Sequence, residues 1–198
     1  MLSFPYICEV EIPADVIKAC RKNDRKAQFE LHRLSYGMLM GICLRYERNR
    51  EDAESLLNMG FLKIFTNMDK YQDNVPFEAW ARRIMINTII DNFRKNKKYI
   101  ERIEVREESD LDFNNRVSFN EADLQFDAEV LENMIRELPA ISQKVFNMHV
   151  IDGFSHKDVA EMLGMSVGTS KWHVSNARKI LKKKIVQQKE LADKTLVL

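Results

Sequence analysis

Cysteine is scarce: three among 198 residues, at Cys8, Cys20 and Cys43. An odd, scattered count without a Cys-x-x-Cys pair argues against a disulfide scaffold or a zinc knuckle and fits a reducing compartment. Glycine (6) and proline (4) are also few. That argues against a turn-rich all-β sandwich and for helices. No apolar run approaches the ~18 residues of a membrane span, so no membrane insertion is expected. The first residues lack the basic and apolar regions of a secretory signal, and a cytoplasmic protein is expected. The phosphate-cradling and nucleophile-elbow glycine motifs are missing as well. His32, His149, His156 and His173 include no i,i+4 pair beside a carboxylate. No metal, no cofactor and no catalytic constellation are therefore expected, and Cys43 reads as a core residue.

What is present is segregated charge. The net charge is only +1, yet residues 93–98 carry four bases and no acid. Residues 99–132 carry eleven acids against three bases, and residues 167–198 eight bases against two acids. Two basic patches thus flank an acidic middle, and local patches rather than the mean decide binding to phosphate.

The apolar periodicity predicts helices in two groups. Residues 1–19 show no clear period. Asn23 is expected to cap a helix running to about Arg45, with Phe29, Leu31, Leu34, Met38 and Ile42 on its apolar side. Asn49 precedes a second helix, with Asp52 three positions on. There Ala53, Leu56, Leu57, Gly60, Phe61, Ile64, Phe65 and Met68 form a stripe. Residues 71–76 read as a loop, and Pro76 suits the first turn of a third helix reaching about Arg94. Residues 99–125 read as an acidic linker. Val130, Leu131, Met134, Ile135 and Leu138 mark one further helix, and Val145, Phe146, Met148, Val150 and Ile151 the next, which stops at Asp152–Gly153. The expected architecture is all-α: an N-terminal extension (1–19), a three-helix domain (20–98), the linker (99–125), a four-helix domain (126–188) and a tail (189–198).

Residues 155–181 carry the most information. Ser155 and Asp158 form a Ser-x-x-Asp capping box, Val159, Ala160, Met162 and Leu163 a packed face, and Gly164 suits a left-handed helix end. Ser166 can cap the next helix. This is the helix-turn-helix pattern. At 100° per residue, Ser170, Val174, Ala177 and Leu181 fall on one stripe. Gly168, Trp172, Ser175, Asn176 and Lys179 point away, flanked by Lys171 and Arg178. Polar and cationic groups facing a groove are what a recognition helix needs.

Three stretches in order resemble the small extracytoplasmic-function (ECF) sigma factors of bacterial RNA polymerase, within the sigma-70 family. They are Glu51–Phe65; Phe77-Glu-Ala-Trp-Ala-Arg-Arg-Ile-Met-Ile-Asn87, continuing through Asp91 to Lys95; and Glu137-Leu-Pro139 with Gly153–Ser166, Gly168–Lys171 and Ala177-Arg178. The resemblance implies a sigma factor that binds the polymerase core and directs promoter recognition and opening, by positioning and strand opening rather than covalent chemistry. The three-helix domain would be region 2, docking on core and opening the downstream element. The four-helix domain would be region 4, reading the upstream element.

By that resemblance, Asp52, Glu54, Ser55, Asn58, Met59 and Leu62 would contact core polymerase. Asp73, Asn74 and Asn87 would sit nearest a base of the melted element, with Asp91 beside them and Arg94, Lys95, Lys97 and Lys98 on phosphates. Ser166, Gly168, Thr169, Lys171, Trp172, Ser175, Asn176, Arg178 and Lys179 would meet the upstream duplex. An anti-sigma factor is an expected partner, and the linker would mimic nucleic acid in a basic channel. The chain departs from the family at Ser55 and Met59, where acids are common, at His173 and Asn176, where arginine is common, and at Trp172, often a small residue. A freestanding helix-turn-helix regulator, which binds duplex DNA alone as a dimer, and a helical interaction module on the same scaffold are the alternative readings.

Overall fold

Helices form where the chain repeats apolar residues at three- and four-residue spacing, and they end at caps, glycines or prolines. The structure, a computed structural model, describes residues 11–104 and 128–195, with side chains over 11–96 and 130–188. Among the described residues every regular element is helical. The chain divides into two compact units between Lys95 and Asn96.

The first unit holds α1 (Ala14–Arg21), α2 (Arg25–Tyr46), α3 (Arg50–Thr66), a 3-10 turn (Met68–Lys70) and most of α4 (Phe77–Glu104), which runs on past the boundary. Helix α1 falls mostly in the stretch where no period is legible. It buries only Ile17 and Cys20, too few positions to make a pattern, and packs on α2 and the 3-10 turn. The cap of α2 is one residue later than expected. Asn23 takes a left-handed φ of 59°, and Asp24 Oδ1 accepts the Ala27 N–H at 2.9 Å. Asparagine tolerates that backbone, and a carboxylate at the N-cap suits the helix dipole. Asn49 caps α3, accepting the Glu51 N–H at 2.7 Å.

The stripe expected on α3 is its inner face: Ala53, Leu56, Leu57, Gly60, Phe61 and Ile64 are buried, as is Met68 beyond it, with Phe65 half-buried. On α2 the expectation holds for Leu31, Met38 and Ile42 but not for Phe29, which is 70% exposed. Phe29 lies two residues before Leu31, about 200° around the helix, and cannot share its face. Helix α4 contributes Ala81, Met85, Ile86, Ile89 and Ile90 to the core. A Cβ on Gly60 would lie 2.3 Å from Met85 Cε, so α3 passes α4 at a glycine. Met85 Sδ is 3.4 Å from Cys43 Sγ, and burial pushes the Cys43 thiol up to about 12, leaving it an inert core group.

The second unit holds α5 (Ala128–Arg136), α6 (Ala140–Phe146) with a π turn (Asn147–Ile151), α7 (His156–Leu163) and α8 (Val167–Thr195). Met134, Ile135, Leu138, Phe146, Ala177 and Leu181 form one buried cluster. Val150, one of the apolar residues that mark this helix in the sequence, is 39% exposed. The π turn adds a residue per turn and rotates the positions after Phe146.

Both long helices outrun their expected ends. Helix α4 continues to Glu104, so residues 99–104 of the expected linker are helical, and α8 continues to Thr195 into the expected tail. Between Phe77 and Glu104 there is no glycine or proline to stop the helix. The remainder of the linker, residues 105–127, and residues 1–10 lie outside the described residues.

Candidate functional site

The helix-turn-helix is built from its caps inward. The Asp158 N–H donates to Ser155 Oγ at 3.1 Å and the Ser155 N–H donates to Asp158 Oδ2 at 3.1 Å, completing the capping box. Gly164 ends α7 at φ 65°, ψ 43°, and the Met165 N–H returns to the Ala160 carbonyl at 2.9 Å. Ser166 Oγ then accepts the Thr169 N–H at 2.9 Å and starts α8. Ser170, Val174, Ala177 and Leu181 of α8 are buried, as are Val159, Ala160 and Leu163 of α7. Ser166, Gly168, Thr169, Lys171, Ser175, Arg178 and Lys179 are exposed, and Trp172 and Asn176 half-buried. One face of α8 is therefore packed and the opposite face is polar and cationic.

Three histidines sit inside this unit. His173, where arginine is common in the family, is 6% exposed and its Nδ1 lies 2.9 Å from Ser142 Oγ on α6. It adjoins the Val174 stripe and so faces inward, with the Trp172 ring set edge-on against it at 4.8 Å. His149 and His156, scattered in sequence, stack with ring centroids 3.8 Å apart. His149 Nδ1 is 2.8 Å from the Phe154 carbonyl, so that nitrogen carries the proton it donates. His156 Nδ1 is 3.0 Å from Ser170 Oγ, tying α7 to α8. Burial, then His149, then Lys171 and Arg178 hold the His156 imidazole below its ordinary value.

In the first unit, Gln72–Val75 is a turn closed by the Val75 N–H on the Gln72 carbonyl at 3.1 Å. Asp73 and Asn74 stand exposed at its tip. The buried Tyr71 ring packs on Phe77 and Trp80, and its hydroxyl donates to the Val75 carbonyl at 2.6 Å. Pro76 precedes α4 rather than lying in its first turn, its carbonyl accepting the Trp80 N–H at 3.2 Å. Along α4, Asn87, Asp91, Arg94 and Lys95 are exposed at helical spacing on one face. Asn87 lies ten residues, about 15 Å of helix axis, from Phe77. Lys97 and Lys98 continue α4, but their side chains lie outside the described residues.

On α3, Asp52, Ser55, Asn58, Met59 and Leu62 are exposed, Met59 by 40% and Leu62 by 65%. Glu54 is half-buried and accepts from Arg50 Nε at 2.9 Å. A cleft of about 410 Å³ runs between α3 and α4, lined by Met59, Lys63, Thr88, Asp91, Asn92, Arg94 and Lys95. Lys63 Nζ meets Asp91 Oδ2 across it at 3.1 Å. Residues of α3 and α4 that are separate in sequence thus meet along one cleft.

Comparison with known proteins places both units. The Sigma-70 region 2 family model matches residues 31–99, and the Sigma-70, region 4 model matches residues 128–181. The RNA polymerase sigma factor SigZ of Bacillus subtilis (strain 168) is 30% identical over 131 residues, covering 66% of this chain and 70% of that protein. The chain belongs to the sigma-70 family of RNA polymerase sigma factors. Its likeness to the ECF RNA polymerase sigma factor SigW of the same organism is longer, 27% identity over 177 residues, 85% of this chain and 94% of that protein. The co-crystal structure of the sigma factor RpoE with the anti-sigma factor NepR from Bartonella quintana aligns at a TM-score of 0.47 and 21% identity, over 80% of this chain and 95% of that one. This sigma factor acts in promoter recognition, and the helix-turn-helix lies within its region 4.

Two features of this sigma factor arise only in the folded chain. Arg21, which reaches the Asp73 loop from α1, lies 52 positions away in sequence and ten before the region 2 match. The stacked His149 and His156 come together only because the π turn folds back on α7. Neither contact has a local sequence signal. Among the described residues no three His, Cys, Asp or Glu side chains group as metal ligands. No described helix is long and apolar enough to cross a membrane.

Proposed function

We propose that the two units divide promoter recognition between duplex and single strand. The observation that carries this is the face sorting of α8, with Ser170, Val174, Ala177 and Leu181 packed and Lys171, Ser175, Arg178 and Lys179 outward behind a capped turn. In the major groove, Asn176 and the outward cations would meet base edges and phosphates, and the α8 N-terminus, with Ser166, Gly168 and Thr169, would approach the backbone. Trp172 contributes an apolar edge for a thymine methyl or for the backbone. Phosphate contacts set register, base contacts set sequence.

The first unit then takes the strand. Asp73 and Asn74 at the loop tip and Asn87 on α4 would lie nearest an unstacked base. Asp91 would sit beside them, and Arg94, Lys95, Lys97 and Lys98 would follow the backbone phosphates. Asp52, Glu54, Ser55, Asn58, Met59 and Leu62 on α3 would dock on the polymerase core. Met59 and Leu62 give that face an apolar centre in a polar surround, the composition of a protein interface. Catalysis stays with the polymerase and this chain performs no covalent step. It works in the cytoplasm, under an anti-sigma factor, and the acidic linker replaces nucleic acid in a basic channel.

The test is reconstituted transcription: chain, bacterial core polymerase and fragmented genomic DNA, with starts mapped. Discrete starts that need the chain and share two spaced upstream elements are expected. Starts unaffected by its addition would reject the proposal.

A further inference from the structure

Helix α1 stands outside the region 2 match, which begins at residue 31, yet it sends one side chain to the functional loop. Arg21 Nη2 donates to Asp73 Oδ1 at 2.8 Å and to the Tyr71 carbonyl at 2.7 Å, and Nη1 donates to Asp73 Oδ2 at 3.2 Å. The guanidinium carbon also sits 5.5 Å from the Tyr71 ring centroid. Arg21 therefore grips the loop at a carboxylate, a main-chain carbonyl and an aromatic face at once.

We propose that Arg21 is a positioning residue for strand capture, holding the Gln72–Val75 turn in its binding-competent shape before DNA arrives. The inference rests on the reading of that loop as the strand-capturing element. A lone exposed ion pair contributes little, but this one differs in two ways. The Arg21 side chain is only 27% exposed, and its planar fork meets both Asp73 oxygens and the Tyr71 carbonyl, a bidentate geometry that an ammonium does not match. Its base is rigid, because Ile17 and Cys20 of the same helix are buried in the core. The far side of the turn is closed by the Tyr71 hydroxyl on the Val75 carbonyl. The loop is held from both ends.

A consequence falls on Asp73. Both its oxygens face Arg21, so it shapes the turn, and its neighbour Asn74 is left exposed with donors and an acceptor for a base edge. An ordered loop binds without first selecting a minor conformer, and the apparent affinity falls by the competent fraction once the clamp is lost.

The experiment uses the full chain assembled with core polymerase on a promoter located by start mapping. Binding of a single-stranded oligonucleotide bearing the downstream element is measured beside core affinity, upstream-duplex binding and the thermal midpoint. Arg21→Ala is expected to weaken strand binding by roughly three- to ten-fold, with core affinity and upstream-duplex binding unchanged and the thermal midpoint lowered by no more than a few degrees. Arg21→Lys should fall between, and Asp73→Asn, which leaves α1 untouched, should resemble Arg21→Ala. The double variant should be no worse than either alone. If Asn74→Ala impairs strand binding while Arg21→Ala does not, the loop reading stands and the positioning role is lost. If Arg21→Ala lowers core affinity and the thermal midpoint in step with strand binding, Arg21 is a fold residue and the proposal is overturned. If Asn74→Ala and Arg21→Ala both bind strand normally, the loop reading itself falls, and the proposal with it.

Discussion

At the scale of single residues, position on a helix separates chemistry from packing more sharply than residue type does. Lys171 and Arg178 are cations on the open face of α8, while His173, one residue from Trp172, is enclosed and bonded to Ser142. Lys171→Ala and Arg178→Ala should each lower the slope of log affinity against log salt by about 1 for upstream duplex bound by the holoenzyme. A salt titration of the two variants reads this directly. His156 makes a pH prediction. Its imidazole is held below the ordinary 6.5 by burial and then by His149, Lys171 and Arg178. The unfolded chain therefore binds that proton more readily than the folded one. The resulting stability is complete above about pH 6.5 and is lost as pH falls through the lower folded value. Unfolding of the C-terminal unit followed from pH 7.5 to 5 should show falling stability, and His156→Gln should flatten the curve.

At the scale of elements, the turn between α7 and α8 is held by conformation as much as by contact. A Cβ on Gly164 would meet nothing within 4 Å, so Gly164→Ala exposes the cost of its left-handed backbone alone. That cost is about 1–2 kcal/mol. Ser155→Ala removes the capping-box hydroxyl and should cost about 1 kcal/mol. Denaturant unfolding of the two variants measures both, and equal stability to the parent chain would show that the turn is not under conformational control. The caps at Ser155 and Ser166 are legible in the sequence because each is a local rule: one side-chain oxygen, one backbone N–H, three residues apart. The Asn23 expectation missed by one residue for the same reason. Two neighbouring residues can both cap, and only the path of the chain out of α1 decides between them.

At the scale of the molecule, the proposed function gives region 2 two tasks on adjoining surfaces. Leu62 is exposed on α3, and Met59 lines the cleft that also holds Arg94 and Lys95. Leu62→Asp should leave the thermal midpoint near its original value, because the side chain packs on nothing extensive. It should weaken core polymerase binding by about 1–2 kcal/mol or more, the scale of a truncated interface anchor. Affinity for core polymerase beside a melting curve decides between a docking face and a bland surface.

The division of labour between sequence and tertiary structure follows the range of the forces. Periodicity, caps and the order of three motifs determined an all-α chain of two units, the α3 stripe, the capped turn and the outward face of α8. These depend on neighbours within about four residues. The tertiary structure alone decided that α1 belongs to the first unit and that Phe29 faces out. It also decided that His173 faces in, that His149 stacks on His156 and that Arg21 clamps Asp73. Those outcomes depend on which distant helices meet, and partners 52 residues apart leave no trace in local spacing.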